Sequence, residues 1–147
     1  MWQPVLAALD KMLTQTGSES VQLGNASLGL IAAPFTPSKN LTLAGLTEAS
    51  FSGYARKSIG TPSIGFTGGD GNEYVEGVTV QFMPSDTITP NTIYGIFLTF
   101  GNDSSKLWGS DALPAPVSLA GPQNQITITP RIGLNPGGNF GANVISN

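Results

Sequence analysis

The 147-residue chain contains no histidine and no cysteine. Thiol nucleophiles, histidine general bases, disulfides and Cys/His zinc, haem or iron–sulfur sites are therefore excluded. Charge is also scarce: Asp, Glu, Lys and Arg make up 10% of the residues, against about a quarter in a typical soluble domain. The six cations are Lys11, Lys39, Arg56, Lys57, Lys106 and Arg131, and only Arg56 and Lys57 adjoin, so few phosphates can be neutralised. Nucleic acid is not an expected partner. The apolar opening, Met1 to Leu9, lacks a basic flank and is cut by Asp10 and Lys11, well short of a membrane span. Neither a secretory signal, a membrane anchor nor a membrane partner is expected.

What the chain does have is 39% apolar residues with 19 Gly and 11 Pro. That mixture is too apolar for a solvated disordered chain and too rich in helix breakers for a bundle. The expectation is one all-β domain, an antiparallel β-sandwich with the jelly roll among its forms. A net charge of −3 gives copies little mutual repulsion, which suits a protein that associates.

From Pro4 to Thr14 the apolar positions Val5, Leu6, Leu9, Met12 and Leu13 follow one helical face, with Pro4 in the first turn and Gly17 beyond the end. One short N-terminal helix is predicted. Its stripe suits either packing on its own domain or docking on a neighbouring subunit. After Gly17 the period becomes two. Val78, Val80 and Phe82 alternate with Thr79 and Gln81, and Ile126 and Ile128 with Thr127 and Thr129. Ile93 to Phe100 is apolar on both faces, as in a central strand covered on both sides or one at a subunit contact. Weaker strand candidates are Ser27 to Ala32, Leu41 to Leu43, Tyr54 to Ile59, Ile64 to Thr67 and Val117 to Leu119, giving seven or eight in all. Turn signals such as Gly68-Gly69-Asp70-Gly71-Asn72 and Thr89-Pro90-Asn91 separate them. The division is a helical arm over 1–16, a sandwich over 17–134 and a Gly/Asn-rich tail over 135–147. The tail's apolar anchors are Phe140, Val144 and Ile145.

Chemistry-bearing constellations are weak. Asp70, Asn72, Glu73 and Glu76 offer oxygen ligands, but a full calcium-loop pattern is missing and a solvated turn looks the same. Glu48, Asp70, Glu73, Glu76, Asp86 and Asp111 show no spacing that marks an acid/base pair. Ser38-Lys39 and Ser105-Lys106 are adjacent and point apart on an extended chain. No catalytic residue, metal or cofactor is assigned. Trp108, Tyr54 and Tyr74 are candidate stacking platforms for a glycan, with Trp108 better suited to the core or an interface.

Four stretches carry a resemblance. Leu46-Thr47-Glu48-Ala49-Ser50-Phe51-Ser52-Gly53-Tyr54-Ala55-Arg56 matches a "TEA-x-F-x-GYA-R" pattern, Ile93 to Thr99 a "YG-x-F-x-T" strand, followed by Pro114-Ala115-Pro116-Val117, and Ile126 to Arg131 a closing "T-x-T-P-R" strand. Over residues 28–134 the chain resembles small virion structural proteins, of the head decoration or cement type, encoded by tailed phages and environmental viral genomes. The resemblance implies a non-enzymatic protein on the capsid exterior, made in the host cytoplasm. Its implied partners are the major capsid protein and copies of itself, as a trimer. The apolar helix and the tail lie outside the pattern and read as assembly arms, so Val5, Leu6, Leu9, Met12, Leu13, Phe140, Val144 and Ile145 are the expected partner-binding residues. The alternative is a receptor- or glycan-binding module of a tail fibre or spike.

Overall fold

A computed structural model describes residues 3–4, 26–60, 63–66, 73–101, 103–133 and 143–146. Among these the chain is all-β and antiparallel, with one short 3-10 turn at Leu43–Gly45. Eleven strands are present where alternation marks seven or eight: β1 (Gln3–Pro4), β2 (Ser27–Ile31), β3 (Lys57–Ser58), β4 (Ser63–Phe66), β5 (Glu73–Glu76), β6 (Val80–Phe82), β7 (Asn91–Thr99), β8 (Leu107–Leu119), β9 (Ile126–Thr129), β10 (Arg131–Gly133) and β11 (Asn143–Ser146). They form a five-stranded sheet, β1-β8-β7-β2-β3, and two three-stranded sheets, β10-β5-β4 and β11-β9-β6.

Pro4, expected in the first turn of a helix, instead lies in β1, paired with Gly109 of β8. The rest of the predicted helix lies outside the described residues. Leu41 to Leu43 does not form a strand, because the chain there turns into Leu43–Gly45. Tyr54 to Ile59 contracts to the two residues of β3. Val78 leaves the buried face assigned to it: it is 51% exposed, while Val80 and Phe82 are buried. Its amide bonds to the Ile59 carbonyl, so strand pairing with β9 starts only at Val80. Asn143–Ser146, inside the segment read as a tail, pairs with β9, setting Val144 opposite Ile128.

The centre of the large sheet explains the doubly apolar sequence of β7. Leu28, Leu30, Ile96 and Leu98 share one face by register, and Ile31 and Phe97 the other; all are essentially inaccessible to water. β7 is thus covered on both sides, the burial that nearly continuous apolar strands require. Gly29 lies opposite Phe97 and Gly95 opposite Ile31, so both glycines fall on the same face. The Phe97 ring takes the space that a side chain at 29 would fill, and the Phe35 ring the space at 95. Buried residues of β6 and β9 belong to the same hydrophobic cluster as those of β2 and β7.

β8 is the longest described strand, and its burial is uneven: Leu107 to Ser110 at one end and Leu119 at the other are shielded, whereas Ala112, Pro114, Ala115, Pro116 and Ser118 between them are exposed. The register with β7 jumps from Gly95↔Ala112 to Ile93↔Val117, so residues 113–116 bulge opposite Tyr94. A bulge is where a strand tolerates prolines, which lack the N–H a ladder needs. Among the described residues the buried Ser110 hydroxyl and Trp108 indole N–H have no hydrogen-bond partner. Leaving a buried hydroxyl unpaired costs stability, so Ser110→Ala is expected to stabilise the fold by about 1 kcal/mol. Urea denaturation checks this, and a destabilised alanine variant would show that the hydroxyl is satisfied.

Candidate functional site

Residues 46–59 run along the side of β2 that faces away from β7. At one end of β2, Ile59 N–H donates to Ala26 O; at the other, Ala49 N–H donates to Leu30 O and Ala32 N–H to Thr47 O, each near 2.9 Å. Between these points the chain detours through 50–56, and the Leu30 amide has no backbone acceptor on that side. The Tyr54 hydroxyl supplies one, accepting from Leu30 N at 3.1 Å. A side chain here stands in for a missing rung of the ladder, as a buried N–H demands.

The same hydroxyl donates to Glu48 Oε1 at 2.8 Å. Arg56 grips that carboxylate with two N–H groups, Nε to Oε1 at 2.8 Å and Nη2 to Oε2 at 2.7 Å, a bidentate fork. Its remaining Nη1 donates to Ser104 O at 2.7 Å, which ties the β7–β8 turn to the detour, and its guanidinium lies 5.1 Å from the centre of the Phe97 ring. The Tyr54 ring meets Phe51 edge-on and stacks on Phe82 of β6. One cluster therefore joins β2, β7, β6 and two loops. Gly53, with φ of 86°, allows the tight turn that brings Tyr54 under β2, and Ser85 packs against it.

Electrostatics fix the protonation states. The Arg56 hydrogen bond holds the Glu48 carboxyl below the ordinary range; burial opposes this, and the Tyr54 hydrogen bond and the Arg56 charge support it. Burial pushes the Tyr54 phenol well above its ordinary value, with the Glu48 hydrogen bond and charge adding to the effect, while the Leu30 amide opposes it. The hydrogen bond to Glu48 raises Arg56 further. At neutral pH the cluster is carboxylate, phenol and guanidinium, with the phenol's single proton already donated. Such an arrangement holds segments together and offers no proton or nucleophile to a substrate.

The other sequence candidates are dispersed. Glu76 forms an ion pair with Arg131, its register partner across β5 and β10. Glu73 lies on β5, and Asp70 and Asn72 lie outside the described residues. Asp86 accepts from Ser52 at 2.8 Å and Ser85 at 3.1 Å, which pins the 50–56 detour to the turn after β6. Ser105 donates to Asp103, which also pairs with Lys106. Among the described residues no group of three or more acidic side chains is placed to hold a metal ion. Trp108 is 3% exposed, so it belongs to the core. Of the expected partner-binding residues, Val144 and Ile145 lie in β11, whereas Val5, Leu6, Leu9, Met12, Leu13 and Phe140 lie outside the described residues.

Sequence reasoning missed the Glu48–Arg56 pairing. The available signal was scarcity: in a chain this poor in charge, a glutamate and an arginine eight positions apart are conspicuous. No described helix is long and apolar enough to cross a membrane. No protein family, no curated protein sequence and no solved structure matches the chain.

Proposed function

We propose that the chain is a non-enzymatic virion structural protein, a decoration or cement protein bound to the major capsid protein on the outside of the shell. The observation that carries this reading is the architectural use of the resemblance segment. Glu48, Phe51, Gly53, Tyr54 and Arg56, the residues that define its pattern, are spent on bracing β2, β6 and β7. A pattern of this kind preserves a rigid surface, and many rigid copies making weak contacts reinforce a shell by multivalency. We read the β11-β9-β6 sheet, joined to the large sheet in one hydrophobic cluster, as the second layer of a sandwich. The trimer remains part of the proposal.

The glycan-binding alternative relies on exposed aromatic platforms. Trp108 is buried, and the Tyr54 ring and hydroxyl are engaged inside the fold, so two of its three aromatics are committed elsewhere. Mass spectrometry of purified particles tests the proposal. The chain is expected at a copy number commensurate with the capsid lattice, and immunogold label is expected over the whole shell. Label confined to one vertex, or absence from the particle, overturns it.

A further inference from the structure

Tyr74 is the third of the aromatics that the sequence offers as stacking platforms, and it stands on β5, the middle strand of the β10-β5-β4 sheet. Its register partners are Gly65 on β4 and Gly133 on β10. A tyrosine at the centre of a three-stranded sheet thus has no side chain directly opposite it on either neighbouring strand. Glycine in a strand interior weakens the strand, and it often marks a bulge or a place where a ligand or another backbone comes close. Neither ladder is interrupted here: Ser63 to Phe66 pair in step with Glu76 to Glu73, and Arg131 to Gly133 with Glu76 to Tyr74. A bulge is therefore not the reason. In the large sheet one glycine makes room for one ring, Gly29 for Phe97 and Gly95 for Phe35. Tyr74 has two such positions beside it.

The period of two assigns the remaining residues to faces. Ile64, Val75 and Ile132 form a row on one face of this sheet; on the other, the row Gly65, Tyr74, Gly133 lies beside the row Ser63, Glu76, Arg131. Glu76 and Arg131 form an ion pair there with side chains 32% and 40% exposed, so the rest of the fold does not cover the face at that row. Two residues along one strand separate Tyr74 from Glu76, a distance of about 7 Å. The ion pair is neutral as a unit, and neither row contains another charged residue.

From this juxtaposition we infer that the face is a binding site for a neutral glycan, in which a sugar ring stacks on Tyr74 in the space left at Gly65 and Gly133 and sugar hydroxyls donate to the Glu76 carboxylate. The C–H face of a pyranose is apolar and slightly positive, and it suits the negative face of an aromatic ring. Hydroxyls at the rim of the sugar need acceptors, and a carboxylate is a strong one. Arg131 is a positioning residue: its Nε holds the Glu76 carboxylate and balances its charge, so a charged polymer gains no net attraction at this face. The inference goes beyond the capsid assignment and does not depend on it.

The unsubstituted chain carries the first test, because it has three tyrosines, Tyr54, Tyr74 and Tyr94. Ring-labelled tyrosine is followed by NMR, with the signals assigned from single Tyr→Phe variants, during titration with hexamers of maltose-type, cellulose-type, chitin-type, mannan-type and galactan-type sugars. At least one hexamer is expected to shift the Tyr74 ring with a dissociation constant of about 1 mM or below, while the Tyr54 and Tyr94 rings stay in place. Tyr74→Ala should weaken that binding about tenfold, and Tyr74→Phe should leave it nearly intact. Glu76→Gln should weaken it about fivefold. Gly65→Val and Gly133→Val, which introduce a residue that strands favour, should each weaken binding at least as much as Tyr74→Ala without lowering the melting temperature. If the glycines serve only to seat the tyrosine ring, the valine variants melt lower and no sugar moves the Tyr74 signal, and the inference falls. It falls equally if only an acidic polymer such as polygalacturonate binds, or if the Tyr74 signals move on dilution of the chain alone, which makes a second copy the occupant. A chain absent from purified particles that still binds a hexamer through Tyr74 fails the capsid assignment and keeps the glycan site, so the two failures are distinct.

Discussion

Gly95→Ala is expected to lose the folded state or to be destabilised by about 4 kcal/mol, at or beyond the upper end of ordinary overpacking costs. A Cβ at this position would lie 2.6 Å from the Asp111 carbonyl oxygen and 2.3 Å from Cε1 of Phe35. β7 is held on both sides, by Ile31 of β2 and Ala112 of β8, so the backbone cannot yield without breaking two ladders. Gly29→Ala is the informative comparison. There the close atoms are Cζ and Cε1 of Phe97, at 2.3 and 2.5 Å, and the Tyr54 hydroxyl at 2.9 Å, all belonging to side chains. A cost of about 3 kcal/mol is expected at position 29, part of which Phe97→Leu should recover by shortening the ring. Phe35→Leu should not recover Gly95→Ala, because the carbonyl contact remains. Soluble yield and urea denaturation of the four variants read this out. A Gly95→Ala chain that melts beside the parent would mean that Phe35 and β8 do not approach β7 this closely.

The parts of the fold that sequence made legible are those where side-chain period and burial coincide. β7, β9 and most of β2 follow from alternation or from continuous apolar runs, and each is buried as that reading requires. β8 was legible only at Val117 to Leu119, because Pro114 and Pro116 argue against a strand until the bulge opposite Tyr94 supplies a place for them. β5 was hidden inside an acidic stretch: four residues, Glu73 to Glu76, are too few to show a period, and Gly and Asn precede them. β1 and β3 are two-residue pairings whose existence depends on a partner far along the chain, and no local pattern encodes that. The candidate site divides in the same way. The residues Glu48, Tyr54 and Arg56 stood out as a pattern, but their convergence on Leu30 and Phe97 is tertiary, and a detour without regular structure creates it. Val78 shows the limit of alternation, since a correct period extended two residues beyond the end of the ladder.

Removing the Glu48 carboxylate is expected to be the most damaging side-chain truncation in this cluster. Glu48→Ala leaves Arg56 without its counter-charge and the Tyr54 hydroxyl without its acceptor. For a fully buried pair such a loss costs about 3–5 kcal/mol. The side chains of Arg56 and Glu48 are 26% and 31% exposed, so water screens part of the effect, and about 2 kcal/mol is the expected loss. Arg56→Lys keeps the charge but not the fork, and should cost about half as much. The pH dependence has a definite sign on each side. The Glu48 pKa is lowered on folding, so its contribution is present above its ordinary value of 4.5 and is lost as pH falls through the folded value. The Tyr54 pKa is raised on folding, so its contribution is complete below the ordinary value of 10.0 and is lost as pH rises past it. Stability from the cluster is therefore a plateau bounded by an acid limb belonging to Glu48 and an alkaline limb belonging to Tyr54. Glu48→Gln should flatten the acid limb. Tyr54→Phe should flatten the alkaline limb and lower the plateau by about 1 kcal/mol, since the Leu30 amide loses its acceptor. Urea denaturation from pH 3 to 11 of the parent, both single variants and the double variant resolves the two limbs. If the two substitutions prove additive, the hydroxyl and the carboxylate are not coupled and Tyr54 acts on β2 alone; if neither limb moves, the cluster does not brace the fold.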